Sequence, residues 1–303
     1  MAKTKKTKRN TGKKPTVSVI GLGRLGTALA IALDSARYEI VSLVGRNRRK
    51  LRTTVNNLDV KPMLLVAKEL DKGSLGDLVI VAVPDDQILE VASSLARLRN
   101  TSTILHTSGA LSSEVFAALA ENGWHTGSIH PLASVSDPKA GVDALRNAYW
   151  CVEGDSVATR LARRLVQDLG ARAFSIDAKY KPVYHAAAVM SSGNVVAVFD
   201  VALAMLNRCG LSRREAQRIL LPLLESTALN LARSDPKDAI TGTFARGDLE
   251  TVKLHLASLQ KNDLEEALRL YRILGEHALL LAHDRVPQDV AEEIRRRLRD
   301  DRR

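Results

Sequence analysis

A chain of 303 residues is long enough for two domains, each with its own core. Its hydrophobic share of 45% and charged share of 26% exclude the disordered and fibrous classes, and an aromatic share of only 4% leaves Leu, Val and Ala to fill the core. The formal net charge of +11 is unevenly spread: Lys3, Lys5, Lys6, Lys8, Arg9, Lys13 and Lys14 stand together at the start with no acid among them.

Residues 1–14 therefore read as a disordered, solubilising basic tail, suited at most to non-specific contact with nucleic acid or another acidic surface. The tail is followed by no apolar h-region, so it does not read as a secretory signal. No apolar run of the roughly 18–20 residues that a membrane span needs stands out, and no membrane partner is expected. Cys151 and Cys209 lie far apart and form no CxxC pair, which suits a reducing cytoplasm. The histidines are dispersed without an HxH or HExxH pair, so no metal site is expected.

From residue 15 the pattern changes to alternating strands and helices. Val17–Ile20 predicts a strand, Ala28–Leu33 a helix and Glu39–Val44 a second strand. Leu78–Val83 is an unbroken β-branched run, as in a strand buried on both faces of a parallel sheet. Thr103–Thr107 and Gly127–His130 predict further strands around a helix at Ser113–Asn122. Tyr149–Val152, Ser156–Leu169 and Ala173–Ile176 predict a last βαβ unit. Strand signals then stop. Pro182–Asn207 reads as one long apolar helix, followed by helices over Arg213–Arg233, Asp248–Leu259, Asp263–His283 and Pro287–Arg299. The fold class is thus α/β, with a parallel Rossmann sheet over residues 15–177 and an all-α domain over 178–303.

The strongest motif is Gly21-Leu22-Gly23-Arg24-Leu25-Gly26, a GxGxxG between a predicted strand and a predicted helix. Gly21 permits the tight turn, Gly23 lets the backbone approach a pyrophosphate, and Gly26 lets the helix pack on the strand. The helix N-terminus turns its amides to the phosphates. At the end of the second strand stands Gly45-Arg46-Asn47-Arg48-Arg49, where an acid would grip the ribose of NAD. Guanidinium forks there match a 2′-phosphate, which selects NADP over NAD, with Arg46 and Arg48 as its ligands. A solvated basic loop is the plainer alternative. Val83, Pro84 and Asp85 end the fourth strand beside the nicotinamide half.

Two further strand ends carry polar residues: His106-Thr107-Ser108-Gly109 and His130-Pro131. Ser108 is a candidate for binding substrate, and His130 for carrying a proton or donating to a carboxylate. For both histidines the plainer alternative is a buried imidazole bonded to backbone, more so for His106. Lys181 and His185, four residues apart on one helical face, could protonate a carbonyl oxygen, each depressing the pKa of the other. Asn194 stands about 180° from His185 on an ideal helix and shares its face only if the helix bends. Arg246 could clamp a carboxylate, and Asp248 is a natural helix cap.

These residues together resemble the bacterial Rossmann-like proteins that carry domain of unknown function 2520, relatives of the 6-phosphogluconate dehydrogenase-like superfamily with ketopantoate reductase, pyrroline-5-carboxylate reductase and prephenate dehydrogenase. The likeness rests on Gly21–Gly26, Ala82–Asp85, His106–Gly109, His130-Pro131, Tyr184–Ala188, Asn194, Thr241-Gly242, Ala245–Asp248 and His255. It implies a Rossmann domain, an interlocking helical domain and a homodimer. It also implies a reductase of a small carboxylated carbonyl compound, 2-dehydropantoate first, with prephenate- or imine-type chemistry open and a non-catalytic NADP-binding scaffold as the other class. Asn194, Thr241, Asp248 and His255 join Arg246 as substrate-binding candidates on that ground. One departure stands out: many relatives carry Lys and Asn four residues apart on the first long helix, where this chain carries Lys181 and His185.

Overall fold

A computed structural model describes residues 14–36, 38–72, 75–98 and 102–299. Except for Lys14, the expected basic tail lies outside the described residues. The chain divides into two compact units, one up to Met190 and one from Ser191.

In the first unit the strands are β1 (Thr16–Ile20), β2 (Glu39–Gly45), β3 (Met63–Val66), β4 (Leu78–Val81), β5 (Thr103–His106), β6 (His125–Pro131), β7 (Tyr149–Gly154) and β8 (Arg172–Phe174). The helices are α1 (Arg24–Asp34), α2 (Arg48–Val55), α3 (Asp85–Leu95), α4 (Ala117–Glu121), α5 (Pro138–Asn147), α6 (Ser156–Asp168) and α7 (Lys181–Ser191). Every strand expected from the sequence is present. β3 is an addition, short and partly exposed, next to the basic α2.

The strands form one sheet in the order β3-β2-β1-β4-β5-β6-β7-β8. All neighbours are parallel except β6 and β7, which run antiparallel. The first six follow the doubly wound order, with the reversal between β1 and β4, and ligands bind at the strand ends of such a crevice. β4 and β5 are buried along their whole length because helices cover both faces. One core layer packs α1, α5 and α6 through residues such as Leu29, Leu33, Leu145 and Leu165. The other packs α3 and α4 through Ile88, Leu95, Phe116 and Leu119.

The second unit is helical: α8 (Gly193–Arg208), α9 (Arg213–Leu231), α10 (Pro236–Ala239), α11 (Leu249–Lys261), α12 (Glu265–Leu281) and α13 (Gln288–Arg299). The expected stop and restart are present. Gly210 has a left-handed φ of 91°, and Ser212 caps α9 in a capping box with Glu215. Val252, Leu279, Ala282, Ile294 and Leu298 form its core.

The single long helix expected over Pro182–Asn207 is instead two, broken at Ser192, whose φ of −130° and ψ of −80° are not helical. The polar Ser191-Ser192-Gly193 stretch offers the backbone bonds other than the helix ladder. The whole segment Ala178–Arg208 is nonetheless long and apolar enough in composition to cross a membrane, contrary to the sequence reading. In α8 only Leu203 is buried, and in α9 only Ala216. Val196, Leu223, Leu229 and Leu231 are left exposed.

Candidate active site

The glycine turn after β1 is built as its sequence requires. Gly21 has a φ of 93°, and a Cβ there would stand 2.5 Å from the Ala82 carbonyl oxygen at the end of β4. A Cβ on Gly26 would overlap the Gly21 carbonyl, so α1 can pack on the turn only as glycine. Gly23 faces open space, where the bulk of a pyrophosphate would come. Arg24 and Leu25 form the first turn of α1, whose leading amides point the same way.

A cleft of about 340 Å³ opens beside this turn, lined by Gly21, Leu22 and Gly23, by Val83 and Pro84, and by Arg46, Asn47 and Lys50. Ile20, Val44, Leu51, Leu70 and Val91 supply apolar walls. An apolar slot with a cationic rim and bare glycine amides fits a nucleotide with an extra phosphate. The donor set present, Arg46 and Lys50 with the amides of the turn, suits NADP.

Of the two expected phosphate ligands, Arg46 lines the cleft. Arg48 does not: its guanidinium bonds Glu69 Oε1 at 2.6 Å. Asn47 caps α2 by accepting the Arg49 amide, so the helix starts at Arg48. Helical rotation sends residue 48 to one side and residue 50 to the other. Lys50 was missed because the segment read as an irregular loop.

Asp85 opens α3 at the end of β4, and its carboxylate accepts a 2.7 Å bond from Ser108 Oγ. Ser108 Oγ in turn accepts the amides of Ala110 and Leu111, so the serine organises its own turn. His106 does the same from below. Its Nδ1 accepts the Ser108 amide at 3.2 Å, which leaves the proton on Nε2 to donate to Ser112 O at 3.1 Å. Burial, then Lys181, lowers its pKa to about 4. His106 is the backbone-bonded core imidazole of the plainer reading.

His130, on β6, shares a 2.7 Å hydrogen bond between Nδ1 and the Tyr184 hydroxyl. Its ring meets that of His185 edge-on, 5.4 Å between centroids. Burial, then His185 and Lys181, lowers the His130 pKa to about 4, so the ring is neutral at physiological pH. Nδ1 of His185 is buried and has no partner, which is costly unless a ligand or proton transfer uses it. Gly109 lies against both rings: a Cβ there would come within 2.8 Å of His130 Nε2 and closer still to His185 Nδ1.

Lys181 departs from expectation. It shares a helical face with His185, yet its side chain is wholly buried and bonds Ser108 O at 3.2 Å and Ser128 Oγ, with Glu153 Oε1 at 3.4 Å. Burial lowers its pKa, opposed chiefly by Glu153, and His185 is not the cause that was expected. Glu153 and Tyr184 were missed as site residues. An acid in the otherwise apolar strand Tyr149–Gly154 was the available signal for the first.

Asn194, Thr241, Arg246, Asp248 and His255 belong to the second unit. Asn194 is exposed in the first turn of α8, and Thr241 is exposed before a turn. Asp248 caps α11 as expected, accepting the Thr251 amide at 3.1 Å and hydroxyl at 2.7 Å, bonds that lower its pKa. Arg246 is largely exposed and reaches Asp248 only at 4.0 Å. His255 Nδ1 pairs with the Tyr271 hydroxyl at 2.8 Å. Among the described residues no group of three His, Cys, Asp or Glu could hold a metal.

A glycine-turn cleft with a cationic rim on a doubly wound sheet is the arrangement of a dinucleotide-binding Rossmann fold, and a helical unit follows it in the chain. Residues 2–131 match the model of a Rossmann-like domain and residues 148–278 that of domain of unknown function 2520, the pairing that the chain's motifs resemble.

Three solved structures illustrate the likeness. Protein TM1727 from Thermotoga maritima superposes with a TM-score of 0.70 at 22% identity, over 88% of this chain and 98% of its own. A Bacteroides fragilis protein, BF3122, assigned provisionally as an NADP oxidoreductase, gives 0.72 at 22% over the same shares. The reductive aminase of Aspergillus terreus, solved with NADPH and ethyl levulinate, gives 0.63 at 18%, over 93% of this chain and 99% of its own. At these identities the likeness is one of fold. Among curated proteins, none matches the chain.

Proposed function

We propose that this protein is an NADP-dependent reductase of a small carboxylated carbonyl compound, with 2-dehydropantoate as the first candidate. One observation carries the reading. A neutral His130 and a buried, unpartnered His185 Nδ1 stand together at the carboxyl ends of the sheet that forms the dinucleotide cleft. Bound NADPH supplies a hydride. His185 supplies the proton that the reduced oxygen needs, with the neutral His130 beside it as a hydrogen-bonding group. Arg46 and Lys50 hold the 2′-phosphate.

The structural neighbours include a reductive aminase and a pyrroline carboxylate reductase, so C=N reduction is the second reading for the same histidine pair. The test is NADPH oxidation by the purified full chain with 2-dehydropantoate, other 2-oxo acids and 1-pyrroline-5-carboxylate, and NADP reduction with prephenate. Turnover that is lost in His185→Ala with NADPH affinity intact supports the reading. NADPH binding with no turnover across the panel would refute it in favour of a scaffold.

The exposed apolar side chains of α8 and α9 support a homodimer. A patch of this kind on a soluble chain marks an interface. Arg213, Arg214, Arg218 and Glu225 on α9 do not suit hydrocarbon. The free thiols of Cys151 and Cys209 suit a cytoplasmic setting.

A further inference from the structure

Lys181 has the donor count of an ammonium, three, and each is taken: by Ser108 O, by Ser128 Oγ and by the facing Glu153 carboxylate. Glu153 is as fully engaged. Its Oε1 accepts the Ser113 amide at 2.8 Å and its Oε2 the Ser113 hydroxyl at 2.8 Å. The pair thus ties the turn after β5 at both ends, Ser108 and Ser113, to β6, β7 and the start of α7. Gly109 sits within that turn, and the rings of His130 and His185 rest on it.

We propose that Lys181 and Glu153 are positioning residues that fix the Ser108–Gly109 turn beneath the His130–His185 pair, and that Lys181 is not the proton donor. The proposal rests on the reading above in taking the imidazole pair as the reacting groups. A side chain whose three hydrogens are all engaged by the protein has none to give a substrate, whereas His185 Nδ1 has no partner. The energetics separate the two roles. Removing one member of a buried ion pair strands the other, whereas neutralising both is far better tolerated. Neutralising Glu153 as well relieves the stranded carboxylate that would distort the turn, which can restore the packing of the turn but cannot restore a proton donor.

The experiment compares Lys181→Met, Glu153→Gln and the double variant in the full chain, with histidine labelled by ¹⁵N and NADP present as the probe. Lys181→Met should lower kcat at least 100-fold with NADPH affinity within about threefold, and displace the His130 and His185 imidazole resonances. The double variant should recover at least tenfold of that loss, return the resonances, and keep the pH profile of the wild type. Three results would each overturn the proposal: imidazole resonances unmoved in Lys181→Met, a double variant as inactive as Lys181→Met with resonances at their native positions, or a pH limb that disappears with Lys181. If Lys181→Met does not fold, Glu153→Gln must displace the same two imidazoles, and their staying in place counts against the proposal. A wild type that binds NADPH and turns nothing over would sink the reductase reading, while the imidazole spectra would still decide the positioning role.

Discussion

The cleft rim yields a quantitative test, because three neighbouring cations are given different tasks. Arg46 and Lys50 line the cleft, whereas Arg48 is held by Glu69 at 2.6 Å. A hydrogen bond to a charged group contributes about 1.5–3 kcal/mol net, and exposure places Arg46 near the lower end. Replacing Arg46 by Ala should therefore cost about 1.5–2 kcal/mol of NADPH affinity, or roughly 10- to 30-fold. Lys50→Ala, which removes a point charge without a planar fork, should cost about 1 kcal/mol, or roughly fivefold. Arg48→Ala should change affinity by less than about twofold, since an exposed pair with Glu69 contributes under 1 kcal/mol and touches no phosphate.

Calorimetric titration of each variant with NADPH and with NADH is the assay. NADH lacks the 2′-phosphate, so its affinity should stay within about twofold in all three variants. Raising the ionic strength to about 0.5 M should shrink the NADPH advantage by screening the exposed charges. Two results would refute the reasoning: an Arg48→Ala loss equal to that of Arg46→Ala, or an NADH affinity that falls in parallel with that for NADPH.

The reaction end makes its own predictions. Gly109→Ala would push a methyl into both imidazoles, so steady-state kinetics should show kcat down by about 100-fold with NADPH affinity within threefold; unchanged kcat would dissociate the turn from the chemistry. The buried His106 has a folded pKa of about 4 against 6.5 when unfolded, so the folded state binds fewer protons. Its stabilisation is complete above about pH 6.5 and is lost as pH falls towards 4, costing about 2–3 kcal/mol by pH 4.5. Urea midpoints should drop over that interval, less steeply in His106→Asn, and equal slopes for the two proteins would contradict the linkage. On α9, Leu223→Lys should convert a dimer to a monomer by light scattering, since a 63% exposed leucine has little to lose within the chain itself; a wild type already monomeric at high concentration would remove the proposed interface.

Much of this architecture is legible in local sequence because it is fixed locally. The Gly21–Gly26 turn follows from steric demands on one short segment, and the strand–helix alternation from runs that must be buried on both faces. β3 escaped because Met63–Val66 is too short and too exposed to show a period. The break at Ser192 escaped because the apolar pattern runs through it, although the Ser-Ser-Gly stretch was visible. Spacing placed Lys181 and His185 on one helical face, but a shared face does not choose partners. The lysine side chain is long enough to reach Ser108, Ser128 and Glu153, which stand 73, 53 and 28 residues away in the sequence. Such contacts are decided by the packing of the sheet, which no local pattern records.

The charge distribution gives the two ends of the site different physics. At the cleft rim Arg46 and Lys50 are exposed, so they keep most of their hydration and attract a polyanion at little desolvation cost. At the proposed reaction end His130 and His185 are half-buried and Lys181 is wholly buried, so an unpaired charge there would be expensive. The groups facing each other are accordingly a neutral imidazole and an unpartnered imidazole nitrogen, and the full charges nearby, Lys181 and Glu153, are spent on one another and on the turn. Neutral, fixed dipoles are the cheaper way to stabilise charge that develops only during a reaction, because they need no reorganisation when it appears. It follows that rim substitutions should act on cofactor affinity and on its salt dependence. Substitutions at Gly109, His130 and His185 should act on turnover and be nearly insensitive to salt.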